Sequence, residues 1–205
     1  MIPVRADREK SIKSAMGNKL IVVGVTGHPA SGKDTVADYL VRLGFSKFSC
    51  GDILRKEMKK LGIPTDRSHI HEFVKEMRVQ RGNGYLAEEI IKNIKGNTVI
   101  SGIRNRGELD AFKKKFDNNF KLITVQTPIE IRYKRAKNRN GIRDNISFDQ
   151  FKAEEEKEKN TESGSHEVDL VIKEADAVIE NGETPETLFL KIDKFIESMR
   201  NIIEN

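Results

Sequence analysis

The sequence predicts an α/β fold, a parallel sheet layered with helices, on three observations. A continuous apolar run from Lys19 to Thr26 reads as a strand buried on both faces. That run leads straight into a glycine-rich turn and an amphipathic helical pattern. Short apolar strands then alternate with helical segments along the rest of the chain, as βαβ units require.

The elements follow in order. Residues 1–18 are of mixed charge and weak periodicity, and are expected to form a mobile extension ahead of a single domain over 19–205. Asp7 and Glu9 there argue against an acidic-poor transit peptide. In DTVADYLVRLGF, Val36, Ala37, Leu40 and Val41 recur at helical spacing. Residues 45–49 read as a short second strand. Gly51 to Leu61 reads as a helix ending near Gly62 and Pro64. Residues 67–95 are charged and helical, with a break at 82–84. Strands at 97–101 and 121–126 flank a helix at 107–116. Pro128 opens the next helix at its first position, where proline is tolerated. Residues 147–160 form a charged helix, 175–181 the last strand, and Thr184 onward a final amphipathic helix. The stretch 166–174 reads equally as strand or helix.

Composition narrows the setting. A compact chain of 205 residues buries roughly 70% of its unfolded surface, enough for a core without staples. Charged residues reach 34%, yet 37 basic and 32 acidic side chains leave a net charge of only +5. The signature of disorder, low hydrophobicity with high net charge, is therefore missing. A single cysteine excludes a scaffold stapled by internal disulfides and points to a reducing, cytoplasmic compartment. No apolar run approaches the ~20 residues of a membrane helix, so no membrane partner is expected. The basic excess suggests anionic partners, phosphates and nucleotides among them.

The turn after the first strand reads Gly27-His28-Pro29-Ala30-Ser31-Gly32-Lys33-Asp34-Thr35. It follows the phosphate-binding pattern Gly-x-x-x-x-Gly-Lys. The glycines let backbone N–H groups curl around a phosphate. The helix starting there adds its positive end, and Lys33 reaches the β and γ phosphates. Gly27 to Thr35 are thus the candidate ATP-binding residues. Asp34 departs from the pattern, because Ser or Thr normally stands there as a Mg²⁺ ligand. A carboxylate beside phosphates is tolerable when a cation lies between them, which makes Asp34 the candidate metal residue. The alternative is a glycine-rich strand-to-helix turn that binds nothing.

The second strand ends in Ser49-Cys50-Gly51-Asp52-Ile53-Leu54-Arg55. This resembles the Ser-Thr-Gly-Asp-x-Leu-Arg segment of adenylate kinase and related nucleoside monophosphate kinases. The resemblance implies that Gly51 and Arg55 bind the acceptor, with Arg55 on its phosphate, where a guanidinium forks onto two oxygens. Asp52 and Arg55 are also three apart, so a surface ion pair is the alternative. The strand at 97–101 runs into Gly102-Ile103-Arg104. The same kinases end a strand in Asp-Gly-Phe-Pro-Arg. By that resemblance Gly102 matches, Arg104 and Arg106 flank the expected arginine slot with Arg104 taken as the second acceptor arginine, and Ser101 replaces the aspartate that orders the Mg²⁺ shell. A carboxylate gained at Asp34 and one lost at Ser101 suggest an exchange across one metal site.

Residues 132–143 carry six basic residues and no acid. Arg132, Arg135, Arg139 and Arg143 recur every three or four positions and would share one side of a helix. The resemblance makes Arg135, Arg139 and Arg143 catalytic arginines of a lid at about 138–148, where cations neutralise the transferring phosphoryl group. A solvated basic face or a nucleic-acid surface is the alternative. Only Tyr133 accompanies the patch, so a stacking platform for bases finds little support. The acidic run 153–159 is expected to form a salt-laced helix near the lid. His69 and His71, two apart, do not share the helix face that a metal site needs.

The last strand ends in Glu180-Asn181-Gly182. In dephospho-CoA kinases and archaeal kinase-like proteins an Asn-Gly turn here contacts adenine, which makes Asn181 and Gly182 adenine-side candidates. A plain turn before a Thr184-capped helix is the alternative. The segments come in family order. The chain thus resembles archaeal-type dephospho-CoA kinase-like and adenylate kinase-like proteins of the P-loop nucleoside monophosphate kinase superfamily. The resemblance implies a three-layer P-loop kinase fold with an acceptor-binding helical insert and a short arginine lid. It implies ATP and Mg²⁺ as cofactors and a small-molecule nucleotide acceptor, first of all a nucleoside or deoxynucleoside monophosphate. An attacking phosphate oxygen is already anionic and needs no base. A ribose hydroxyl, as in dephospho-CoA, would need one, and Asp52 is then the candidate. From another class, the alternative is a regulatory ATPase whose basic lid binds RNA or protein.

Overall fold

Every strand of the computed structural model, which describes residues 20–138, 147–159 and 168–204, runs parallel in one sheet. The strands are β1 (Val22–Thr26), β2 (Ser46–Ser49), β3 (Thr98–Ser101), β4 (Phe120–Gln126) and β5 (Ala177–Glu180), in the spatial order β2-β3-β1-β4-β5. The helices are α1 (Lys33–Arg42), α2 (Cys50–Lys60), α3 (Arg67–Arg81), α4 (Tyr85–Ile91), α5 (Arg106–Phe116), α6 (Ile129–Lys137), α7 (Phe148–Lys159), α8 (Val168–Lys173) and α9 (Pro185–Glu204).

Central β1 explains the apolar run. Successive side chains of a strand point to opposite faces, and here both faces are covered. Val23 and Val25 pack with α1 and α9, against Leu40, Ile192 and Ile196. Val22 packs on the other side with Met58, Ile90 and Phe112 of α2, α4 and α5. All five β1 residues are buried, as in a sheet sandwiched between helical layers.

Several details differ from the sequence expectation. The first strand starts at Val22 rather than Lys19. Val41 is 41% exposed, and Tyr39 takes the core position instead. Its ring stacks on Phe189 at 4.2 Å, and its hydroxyl donates to the buried Asp193 carboxylate at 2.7 Å. A polar tip with a buried partner lets tyrosine sit where periodicity alone favours an aliphatic residue. Pro128 is the N-cap of α6, one residue ahead of the helix. The described part of the ambiguous 166–174 stretch is helix α8, whose Val171 is buried in the second core.

The arginine stripe does not act as one face. Arg132 is buried and forks onto Glu155 of α7, with Nη2 to Oε2 at 2.8 Å and Nη1 to Oε1. Tyr133 meets Phe148 and Phe151 at centroid distances of 5.4 and 5.7 Å. Helix α7 thus packs on α6 through the buried Arg132–Glu155 pair and an aromatic cluster. Arg139 and Arg143, with most of the expected lid, lie outside the described residues, as do residues 1–19. No helix among the described residues is long and apolar enough to cross a membrane.

Candidate active site

Parallel strands bring their C-terminal ends to one edge, and β1 stands where the order reverses between β3 and β4. Open α/β sheets bind ligands at that switch point. The register aligns Val25 with Ser101, and Ser101 with Ser49. The three predicted segments therefore leave the sheet side by side.

The glycine-rich loop occupies this edge. Gly27, Ala30 and Gly32 have positive φ, at 142°, 60° and 97°. The Ser31 N–H donates to the His28 carbonyl at 3.2 Å, closing the turn. Helix α1 then begins at Lys33, which is half-buried. Pro29 and His28 are half-buried, while Ala30 and Ser31 are buried. Gly32 is required twice over. Its φ is left-handed, and a Cβ there would lie 2.1 Å from Asn181 Nδ2.

Asp34 lies in the first turn of α1 and is exposed, as is Thr35. Ser101 Oγ donates to Asp34 Oδ1 at 2.9 Å. The two positions that depart from the kinase pattern thus meet. A carboxylate and a hydroxyl together suit Mg²⁺, which takes one or two protein ligands and completes its shell with water and substrate phosphates. No group of three His, Cys, Asp or Glu among the described residues could hold a metal unaided.

The acceptor segments share one corner. Ser49 caps α2 by accepting from the Asp52 N–H at 3.2 Å. Arg55 Nη2 donates to Asp52 Oδ1 at 2.6 Å, and the guanidinium folds over Gly51, where a Cβ would lie 3.2 Å from Nη2. That hydrogen bond holds the Asp52 carboxyl below its ordinary value. Gly102 has φ 85°, and its N–H donates to the Val25 carbonyl at 2.9 Å. Arg104 is exposed, and close enough to act electrostatically on Cys50 at the start of α2. Burial pushes the Cys50 thiol up, so it is a packing residue rather than a nucleophile.

Glu108 is a site residue that the sequence reading missed. It is 4% exposed, and its Oε2 accepts the Arg104 N–H at 3.0 Å. Asn105 Oδ1 in turn accepts the Glu108 N–H at 2.8 Å. This capping arrangement holds the loop that carries Arg104. Asn105-x-x-Glu108, directly after Gly-Ile-Arg, was its legible signal. Burial raises the Glu108 carboxyl above its ordinary value. A raised carboxyl stabilises fully below its unfolded pKa of about 4.3, and that contribution is lost as pH rises through the folded value. Glu108→Gln is therefore expected to gain stability over the wild type as pH rises from 4 to 8. Denaturant unfolding at several pH values checks this, and a constant difference would contradict it.

Behind the loop, three donors converge on one backbone oxygen. The Ser31 carbonyl accepts from Asn181 Nδ2 at 2.7 Å, Thr127 Oγ1 at 2.8 Å and Arg135 Nη1 at 3.3 Å. Arg135 Nη2 also donates to the Asn181 carbonyl at 3.1 Å. Arg135, read as a lid arginine, stands here against the back of the loop. Asn181 is buried with its amide on the loop. Gly182 lines a cleft of about 540 Å³ with His28, Thr127, Ile172 and Glu183. His28 Nε2 lies 3.3 Å from Asp169 of α8. Thr127 carried no signal in the sequence, where it is merely the residue before Pro128.

A five-stranded parallel sheet with a phosphate-loop geometry after β1 defines a P-loop kinase-like fold, and the chain belongs to that superfamily. A family model described as an AAA domain matches residues 23–162, and the chain is a member of that family. It belongs as well with the UPF0200 proteins. It is 30% identical to the UPF0200 protein of Pyrococcus abyssi, over 86% of this chain and 94% of that one. A UPF0200/UPF0201 protein of Archaeoglobus fulgidus is 28% identical over 89% of this chain, which spans only 57% of that relative's length. Among solved structures, the shikimate kinase of Bacteroides thetaiotaomicron superposes with a TM-score of 0.57 at 12% identity, over 87% of this chain and 99% of that one. At that identity the likeness shows the fold alone.

Proposed function

We propose that the protein transfers a phosphoryl group from ATP to a small phosphorylated acceptor, in the first place a nucleoside or deoxynucleoside monophosphate. The observation that carries this is the meeting of Asp34 and Ser101 at 2.9 Å beside the Lys33 loop. It supports the reading because a carboxylate and a hydroxyl beside this loop suit Mg²⁺, and the corner with Arg55 and Arg104 adjoins them.

The loop backbone, the N-terminus of α1 and Lys33 would bind and orient the donor phosphates. Asp34 and Ser101 would hold Mg²⁺, which when bound neutralises charge on the β and γ phosphates. Gly182 and the adjoining cleft would take the donor's nucleoside end. Arg55 and Arg104 would grip the acceptor phosphate. Arg55 must first release Asp52, and an exposed pair of this kind costs only about 0–1 kcal/mol to part. Arg139 and Arg143 would add charge at the transferring group. An attacking phosphate oxygen is already anionic and needs no base, so two arginines on the acceptor side favour a monophosphate over a ribose hydroxyl.

A coupled assay across the nucleoside and deoxynucleoside monophosphates and dephospho-CoA tests the reading. Transfer to a monophosphate is the expected result. Transfer to dephospho-CoA alone would sink it, as would ATP hydrolysis without transfer coupled to RNA binding that weakens steeply with salt. Asp34→Ser is expected to lower kcat/KM on the order of 10–100-fold and to raise the Mg²⁺ needed. Adding Ser101→Asp should restore most of the loss. If Asp34→Ser leaves Mg²⁺ dependence unchanged, the carboxylate exchange is wrong.

A further inference from the structure

The Ser31 carbonyl receives more donors than one backbone oxygen ordinarily needs, and they come from three separate segments. Thr127 follows β4, Asn181 follows β5, and Arg135 lies on α6. None of the three belongs to the loop. We infer that Thr127, Asn181 and Arg135 form a clamp that positions the phosphate loop, and that the Asn181 side chain acts on the donor's phosphates through the loop rather than on its base. The inference rests on the reading that the loop binds nucleotide phosphates.

The physical link is the peptide joining Ser31 to Gly32. It is planar and trans, so its C=O and N–H point in opposite directions. Fixing the carbonyl outward, toward Thr127 and Asn181, aims the Gly32 N–H inward across the turn. Gly32 is the last residue before α1, where anions are held by such N–H groups. Gly32 also packs directly on the Asn181 amide, since a Cβ would lie 2.1 Å from Nδ2. Rotation of this peptide would break the 2.7 Å and 2.8 Å hydrogen bonds together.

The clamp is itself braced. The Asn181 N–H donates to the Gln126 carbonyl at 2.7 Å, which fixes where its side chain starts. Arg135 Nη2 rests on the Asn181 carbonyl at 3.1 Å. Arg132 Nε donates to the Thr127 carbonyl at 3.0 Å. With its amide nitrogen on the Ser31 carbonyl and its residue 6% exposed, the Asn181 side chain is turned away from the cleft that Gly182 lines.

Binding of ATP and of inorganic tripolyphosphate, each measured by calorimetry, separates the roles, because tripolyphosphate has no base. Asn181→Leu keeps the branched shape and removes the Nδ2 donor without adding a charge. Thr127→Val removes the hydroxyl, and Thr127→Ser keeps it. Losing one partner of a buried hydrogen bond should weaken binding about tenfold. For Asn181→Leu and Thr127→Val the two ligands should weaken by the same factor, and Thr127→Ser should bind as the wild type does. Should Asn181→Leu lose ATP while keeping tripolyphosphate, the side chain reads the base and the clamp is refuted. Unchanged binding of both ligands in Thr127→Val refutes it too. A wild-type protein that binds neither ligand overturns the donor-site reading itself, and the clamp's role with it.

Discussion

Replacing Lys33 with methionine is expected to lower kcat/KM for phosphoryl transfer by about 10²–10³ while leaving the fold intact. Lys33 opens α1 directly after the left-handed Gly32, and in the proposed reading its ammonium and the N–H groups of the first helical turn would serve one phosphate. Methionine keeps the unbranched stem and its packing, and loses only the charge. The missing charge matters most where phosphate negative charge is concentrated and water is scarce. Lys33→Arg should not rescue fully, since a planar fork does not replace a compact point charge. The coupled assay reads the effect, and thermal unfolding verifies the fold. Activity within tenfold of the wild type would show that the loop does not hold the donor as proposed.

Breaking the Arg132–Glu155 pair is the largest stability effect we expect. Both side chains are below a tenth exposed, and Arg132 also donates to the Thr127 carbonyl at 3.0 Å. Arg132→Met leaves the buried Glu155 carboxylate without the guanidinium that forks onto it. Removing one partner of a buried pair costs about 3–5 kcal/mol. For a chain of this size that lowers the melting temperature by roughly 10 °C. The double variant Arg132→Met with Glu155→Leu should recover most of the loss, because neither charge is then left unpaired. Denaturant unfolding of the two single variants and the double one decides the matter. If Arg132→Met costs less than about 1 kcal/mol, the pair behaves as an ordinary surface contact.

The sheet was legible because its signal is strong and local. A central parallel strand must be apolar on both faces, and Val22 to Thr26 show that directly. The phosphate loop was legible for a similar reason, since positive φ at Gly27 and Gly32 demands glycine at fixed spacing. Interior choices were harder. Val41 and Tyr39 both fit a helical stripe, and only the partner Asp193, 154 residues away, settles which one is buried. The arginines between 132 and 143 looked like one basic face. Arg132 departs from it because Glu155, on another helix, offers a buried fork.

The amino-acid sequence by itself determined the parallel α/β architecture, the loop that follows β1, and the two places where this chain departs from the kinase pattern. These follow from backbone sterics and side-chain periodicity, which act within a few residues. Only the tertiary structure decided that Asp34 and Ser101 touch, and that Thr127, Asn181 and Arg135 meet on the Ser31 carbonyl. Each of those contacts joins segments that neighbouring strands bring to one sheet edge. Their energy comes from pairing polar groups across the chain, and such pairing leaves no periodic trace in the residues that make it.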